Sequence, residues 1–146
     1  MIELTGKLRL SPGEPRPKAK GQLALPFDAR QKSRQRARLV SGEEVAVKLP
    51  RGEILRGGDL LASSAGGAIE VVAVPEKLLH IEADHLARVA YHLGNRHVPV
   101  QIGARWLRIA EDHVLEELCR RLGARVSKIE AAFEPEAGAY HQHDHG

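Results

Sequence analysis

The chain has 146 residues, a formal net charge of +3 and 42% hydrophobic content, which suits a globular protein of one average domain or two small ones. Its single cysteine, Cys119, excludes an internal disulfide and fits a reducing compartment. No apolar run approaches the ~20 residues that span a bilayer, and Met1-Ile-Glu-Leu-Thr-Gly-Lys lacks a signal-peptide pattern, so a cytoplasmic location with no membrane partner is expected.

The first half reads as β-structure. Ile2 to Leu10 carries apolar residues at Ile2, Leu4, Leu8 and Leu10, and the Pro- and Lys-rich stretch 11–21 is a loop. Gln22 to Phe27 is a short strand candidate. Arg30, Lys32, Arg34, Arg36 and Arg38 then alternate strictly, which as a strand places every cation on one face. Ser41 to Glu44 reads as a turn and Val45 to Leu49 as the returning strand. Short strands separated by Gly/Pro turns point to a small sandwich or barrel.

The second half changes period. After the strand signals at 67–74 and Leu78 to Glu82, Asp84 is a plausible cap for a helix with Leu86, Val89, Ala90 and Leu93 on one face and Gly94 as its stop. Val98 to Ile102 and Arg105 to Ile109 read as a hairpin around Gly103-Ala104. A second helix, capped by Asp112, runs through Leu115, Leu118 and Leu122 to Gly123, and a last strand covers Arg125 to Phe133. The order strand–helix–strand–strand–helix–strand is ferredoxin-like. The expected class is α+β: a small all-β domain over 1–72, a ferredoxin-like βαββαβ domain over 73–135, and a flexible histidine-bearing tail over 136–146 with nothing left to pack from Pro135 onward.

The charge is uneven: 13 Lys and Arg stand against 8 Asp and Glu in residues 1–72, and 9 against 11 in residues 73–146. The basic half favours an acidic partner or nucleic acid. Single-stranded nucleic acid wants stacking aromatics beside its cations, and of the five aromatics only Phe27 lies near the ladder. A solvated strand face is the first expectation, an acidic protein partner the second, and nucleic acid is not expected.

Three of the eight histidines, His141, His143 and His145, fall in the last six residues, with Asp144 between two of them. Neutral imidazole is the commonest side-chain ligand for nickel, copper and zinc. In Gly94-Asn95-Arg96-His97 a histidine sits where a helix-exit loop meets a strand. On spacing alone it reads equally as a surface residue or a ligand. One imidazole holds an ion poorly, whereas a two-fold axis would supply two. His85 and His92, seven residues apart on the first helix, lie ~10.5 Å apart along its axis and cannot share one ion. His80 reads as partly buried or exposed, and Cys119 as a core residue. No catalytic triad, phosphate loop or paired zinc-cysteine motif is present, so no enzymatic activity is expected.

Tyr91-His92-Leu93-Gly94-Asn95-Arg96-His97 with Pro99-Val100-Gln101 resembles the hallmark of the urease accessory protein E family. Asp112-His113-Val114-Leu115, Phe133-Glu-Pro-Glu-Ala-Gly-Ala-Tyr140, Leu25-Pro26-Phe27 and Leu49-Pro50-Arg51-Gly52 extend the likeness over nearly the whole chain. The resemblance implies a nickel metallochaperone with a peptide-binding-like N-terminal β domain and a homodimer formed through the ferredoxin-like domain. It further implies a central Ni2+ site using His97 from each subunit with tail histidines among His141, His143 and His145, with the urease-assembly GTPase and the urease apoprotein complex as partners. Some members carry a peripheral histidine pair where this chain has Glu111 and His113, so only His113 remains for such a site. Cu2+ should bind at least as well as Ni2+, and Zn2+ in vitro as well. Binding should fail below roughly pH 6.5, where imidazole protonates. The rival reading is a metal-independent peptide- or RNA-binding module built on the basic N-terminal sheet.

Overall fold

A computed structural model describes residues 1–138 and divides them into units spanning Met1–Ala73 and Val74–Gly138. In the first unit, strands β1 (Ile2–Lys7), β2 (Gly21–Leu25), β3 (Arg34–Arg38), β4 (Glu44–Lys48), β5 (Leu60–Ser63) and β6 (Ala68–Ala73) form one sheet in the order β2-β6-β5-β1-β4-β3. The pairs β1–β4 and β2–β6 are parallel and the others antiparallel. Alternation decides which face is buried. In β4, Val45 and Val47 are buried while Glu44 and Lys48 are exposed, and Leu4, Leu23, Leu61 and Val71 join them in one core. At the ends of the sheet the Val40 N–H donates to the Gln22 carbonyl at 2.9 Å, so β2 and the end of β3 meet and the sheet nearly closes into a barrel. The β3–β4 turn needs Gly42, whose φ of +99° suits glycine.

The basic ladder is corrected at its first rung. A four-residue helix, α1 (Phe27–Arg30), precedes β3, and Arg30 is fully buried rather than sharing the strand face. Its guanidinium donates to the carbonyls of Leu25 and Leu55, both at 3.1 Å, and lies over the Phe27 ring. Burying a guanidinium is tolerable only where its donors find acceptors, and these carbonyls, one at the end of β2 and one in the loop before β5, supply them. Arg34, Arg36 and Arg38 do occupy the exposed face of β3.

The second unit contains β7 (Pro75–Glu82), α2 (Leu86–Asn95), β8 (Gln101–Ile102), β9 (Leu107–Ala110), α3 (His113–Arg121) and β10 (Arg125–Ala132), with an antiparallel sheet ordered β10-β7-β9-β8. This is the expected ferredoxin-like arrangement within an α+β chain. Val89 and Leu93 of α2 and Leu115 and Cys119 of α3 pack with Leu79, Ile81, Leu107 and Ile109 of the sheet. Each such buried aliphatic contributes about 1.5–3 kcal/mol.

Boundaries differ from expectation where local chemistry outweighed pattern. His85, not Asp84, is the N-cap of α2, and no side chain caps that end. Gly94 lies inside the helix, which ends one residue later at Asn95. The Asp112 cap holds: its carboxylate accepts from the Leu115 N–H at 2.9 Å, and Gly123 ends that helix region with φ +86°. The strand expected from Val98 shortens to Gln101–Ile102, since Pro99 has no N–H to offer a ladder. At Gly103 a side chain would collide with the Trp106 ring, so the turn between β8 and β9 depends on glycine.

The expectation that nothing packs from Pro135 onward is overturned. Phe133 is 3% exposed and Pro135 is buried. The Glu134 N–H donates to Gln101 Oε1 at 2.9 Å, and the Glu136 N–H to the Val100 carbonyl at 2.8 Å. The partly buried Ile129 and Ala131 and the buried Phe133 and Pro135 alternate, continuing the period of β10 beyond its last ladder pair.

Candidate metal site

His97 follows the end of α2. The Arg96 N–H returns to the Leu93 carbonyl at 3.1 Å and the His97 N–H to the Gly94 carbonyl at 3.0 Å, satisfying two of the carbonyls that a helix end leaves open. His97 itself adopts φ +57°, the left-handed geometry that usually falls to glycine just past a helix. Among the described residues it is the one non-glycine with positive φ. Holding a histidine there costs of order 1 kcal/mol, and such outliers collect where a side chain must point in a set direction.

The mount on either side is rigid. Leu93 is fully buried, and Val98 and Val100 pack against the same core, while His97 between them is exposed. The segment Phe133–Glu136 binds beside Gln101 and Val100, so the chain passes close to the loop before residue 138. Gln101, Phe133 and Pro135 were not singled out by sequence pattern as site residues. The alternation of apolar residues past Ala132 was the signal that could have revealed them.

His113 opens α3 and is exposed, with its Nε2 3.2 Å from Glu117 Oε1 one turn along. Glu111, at the other position of the peripheral pair, sits 3.6 Å from Lys128 Nζ. His80 is held by its neighbours: Nδ1 accepts from Arg108 Nε at 3.1 Å, and Nε2 lies 3.2 Å from Glu82 Oε1. Arg108 in turn stacks on Trp106 at 4.2 Å. His92 is half-buried and meets Tyr91 edge to face, and His85 is exposed at the start of α2.

Burial pushes the Cys119 thiol above its ordinary range, which keeps it protonated and unsuited to bind metal as a thiolate. Among the described residues, no three His, Cys, Asp or Glu side chains converge on a common point. His141, His143 and His145 lie outside the described residues.

Residues 1–74 match the family model described as UreE urease accessory protein, N-terminal domain, and residues 76–146 match its C-terminal domain. The chain is 52% identical over 130 residues to the urease accessory protein UreE of Ralstonia nicotianae, covering 85% of this chain and 62% of that protein. It is 50% identical over 129 residues to the UreE of Paraburkholderia xenovorans, covering 84% of this chain and 57% of that protein. With the UreE of Azotobacter vinelandii it shares 49% identity over 138 residues, covering 90% of this chain and 83% of that protein. The chain thus spans less than two thirds of the length of the Ralstonia and Paraburkholderia relatives. No helix among the described residues is long and apolar enough to cross a membrane.

Proposed function

The chain belongs to the urease accessory protein UreE family, and on that footing we propose that it is a non-catalytic, cytoplasmic metallochaperone that carries Ni2+ during assembly of the urease active site. Nickel is cargo here, held by neutral imidazoles and released to a partner. The observation that carries this reading is His97, exposed at φ +57° between the buried Leu93 and the half-buried Val98. A side chain mounted in that way suits a fixed ligand better than a packing role.

One imidazole does not hold an ion tightly, so the site is completed from elsewhere. A homodimer with its two-fold axis near this loop brings a second His97. Tail histidines add further donors. Glu136 is bonded beside Val100, and the five residues onward to His141 can span at most ~18 Å. Val100 and His97 are three residues apart, at most ~11 Å. Donors tethered within reach of His97 act at raised effective concentration, which favours exchange over retention. His113, paired with Glu117, is a subsidiary donor in this reading. The receiving partners are the urease-assembly GTPase and the urease apoprotein complex, and the N-terminal unit is the partner-binding part.

Equilibrium dialysis against Ni2+ tests this with the full chain, the His97→Ala variant and a chain ending at Tyr140. Loss of tight binding in His97→Ala, with a reduced number of ions or affinity in the shortened chain, supports the reading. Tight binding unchanged by His97→Ala, or no binding by any of the three, defeats it.

A further inference from the structure

The exposed edge of the first sheet carries a feature that nickel binding leaves unused. Strand β3 is the last in its sheet, and its register with β4 pairs Arg34 with Lys48, Arg36 with Ala46 and Arg38 with Glu44. The Leu39 N–H donates to the Glu43 carbonyl at 2.9 Å and the Leu49 N–H to the Ser33 carbonyl at 2.7 Å. In an antiparallel ladder this fixes the odd-numbered residues 33 to 39 as the ones bonded to β4. The N–H and C=O groups of Arg34, Arg36 and Arg38 consequently point away from the sheet. Among the described residues nothing takes them until Val40, whose N–H reaches Gln22.

The side chains on this edge are unevenly compensated. Arg38 meets Glu44 at 2.8 Å and Lys48 meets Glu3 at 2.5 Å. Arg34 and Arg36 are exposed and make no ion pair among the described residues. Arg34 stands directly across from Lys48, and like charges at facing positions disfavour the sheet. Beside them the small Ala46 floors an open depression of about 500 Å³, walled by Arg34, Arg36, Lys48 and Glu3.

We propose that this edge accepts an extended acidic peptide of a partner protein as an added strand. Main-chain bonds form to Arg34, Arg36 and Arg38, and carboxylates at alternate peptide positions meet the Arg34 and Arg36 guanidiniums. Strand addition uses backbone bonds for affinity and alternate side chains for selection. Carboxylates two residues apart on a strand lie roughly 6.5–7 Å apart, the same repeat as the arginines. The arginines also keep two copies of the chain from pairing through this edge, because like charges would face each other. A nucleic acid is a poorer fit: its backbone cannot continue the ladder, and among the described residues no aromatic ring lies on this face to stack a base. The proposal rests on the partner-binding role given above to the N-terminal unit and not on Ni2+ binding, so the two are tested separately.

The test is fluorescence anisotropy of a fluorescein-labelled ten-residue peptide alternating Glu and Val, titrated with the full chain at physiological salt. Saturable binding that weakens with added salt is expected. The Arg34→Gln/Arg36→Gln double variant, checked for folding by circular dichroism, should bind at least tenfold more weakly. N-methylating one alternating set of peptide amides should abolish binding, and N-methylating the other set should leave it intact, because only one set faces β3. The proposal is overturned by no saturable binding, by equal binding of a Lys/Val peptide or of an oligouridylate of the same length, or by tolerance of both methylation patterns.

Discussion

The Glu136 N–H donates to the Val100 carbonyl at 2.8 Å, three residues along the chain from His97. This bond decides where the chain leaves the ferredoxin-like unit. With the Glu134 N–H on Gln101 Oε1 and Phe133 buried, it turns the end of β10 into a tether beside the His97 loop.

Loosening that tether should be visible without any metal. Gln101→Ala removes the acceptor for Glu134 at a cost of about 1 kcal/mol, and Phe133→Ala removes a buried ring at about 3–5 kcal/mol. In amide hydrogen exchange, the Glu134 and Glu136 amides should lose protection in Gln101→Ala while those of α2 and β7 keep theirs. Equal loss throughout the unit would show that Gln101 acts on global stability instead.

Arg30 should be among the most sensitive residues of the first unit. Arg30→Met keeps much of the volume but leaves the Leu25 and Leu55 carbonyls without their guanidinium donor. Two lost bonds from a charged donor amount to about 3 kcal/mol or more. Chemical denaturation should show a lowered midpoint, whereas Arg36→Met on the exposed face should change it little. Similar midpoints for the two variants would contradict the role given to Arg30.

Arg30 also shows where sequence reading stopped. The alternation from Arg30 to Arg38 was legible, and for Arg34 to Arg38 it correctly placed the cations on one strand face. Nothing in the pattern distinguishes a residue that ends a four-residue helix and finds one carbonyl five residues back and another twenty-five residues on, because the second partner is set by tertiary structure. The same holds at the loop. Gly94 carried the usual stop signal, yet the left-handed position fell on His97. The ferredoxin-like order was readable because its helices repeat at 3.6 residues and its strands at two. The binding of Glu134–Glu136 was missed because proline and a polar pair looked like an ending, although Pro135 continues the alternation of Ile129, Ala131 and Phe133.

Cys119 is fully buried in α3, and burial raises its thiol pKa. The folded chain therefore holds it as a neutral thiol, and the unfolded chain ionises first as pH rises. This group's contribution to stability is full below the ordinary thiol range and declines above it. Ellman's reagent at pH 8 should react slowly with the native chain and rapidly once guanidinium unfolds it. Immediate stoichiometric reaction of the native chain would contradict the burial.

The Lys48 ammonium beside Glu3 lowers that carboxyl's pKa, chiefly through their hydrogen bond and then through charge attraction. A depressed carboxylate stabilises the fold above its unfolded pKa and loses that effect as pH falls through its folded value. Thermal melts of the native chain and Glu3→Gln should differ slightly at pH 7 and low salt, and converge in acid as the Glu3 carboxyl is protonated in the folded chain. The pair is exposed, so added salt should shrink the difference. A gap unchanged by acid and by added salt would assign the effect to packing.

The most direct measurement locates the ion itself. Paramagnetic Ni2+ added in substoichiometric amounts to the 15N-labelled full chain should broaden the amide signals of Asn95, Arg96, His97 and Val98 first, with Glu134 and Glu136 close behind. The His113 and Val114 signals should persist until more ion is present. Broadening that starts at His113, or along β3, with the His97 loop unaffected, would contradict His97 as the fixed ligand.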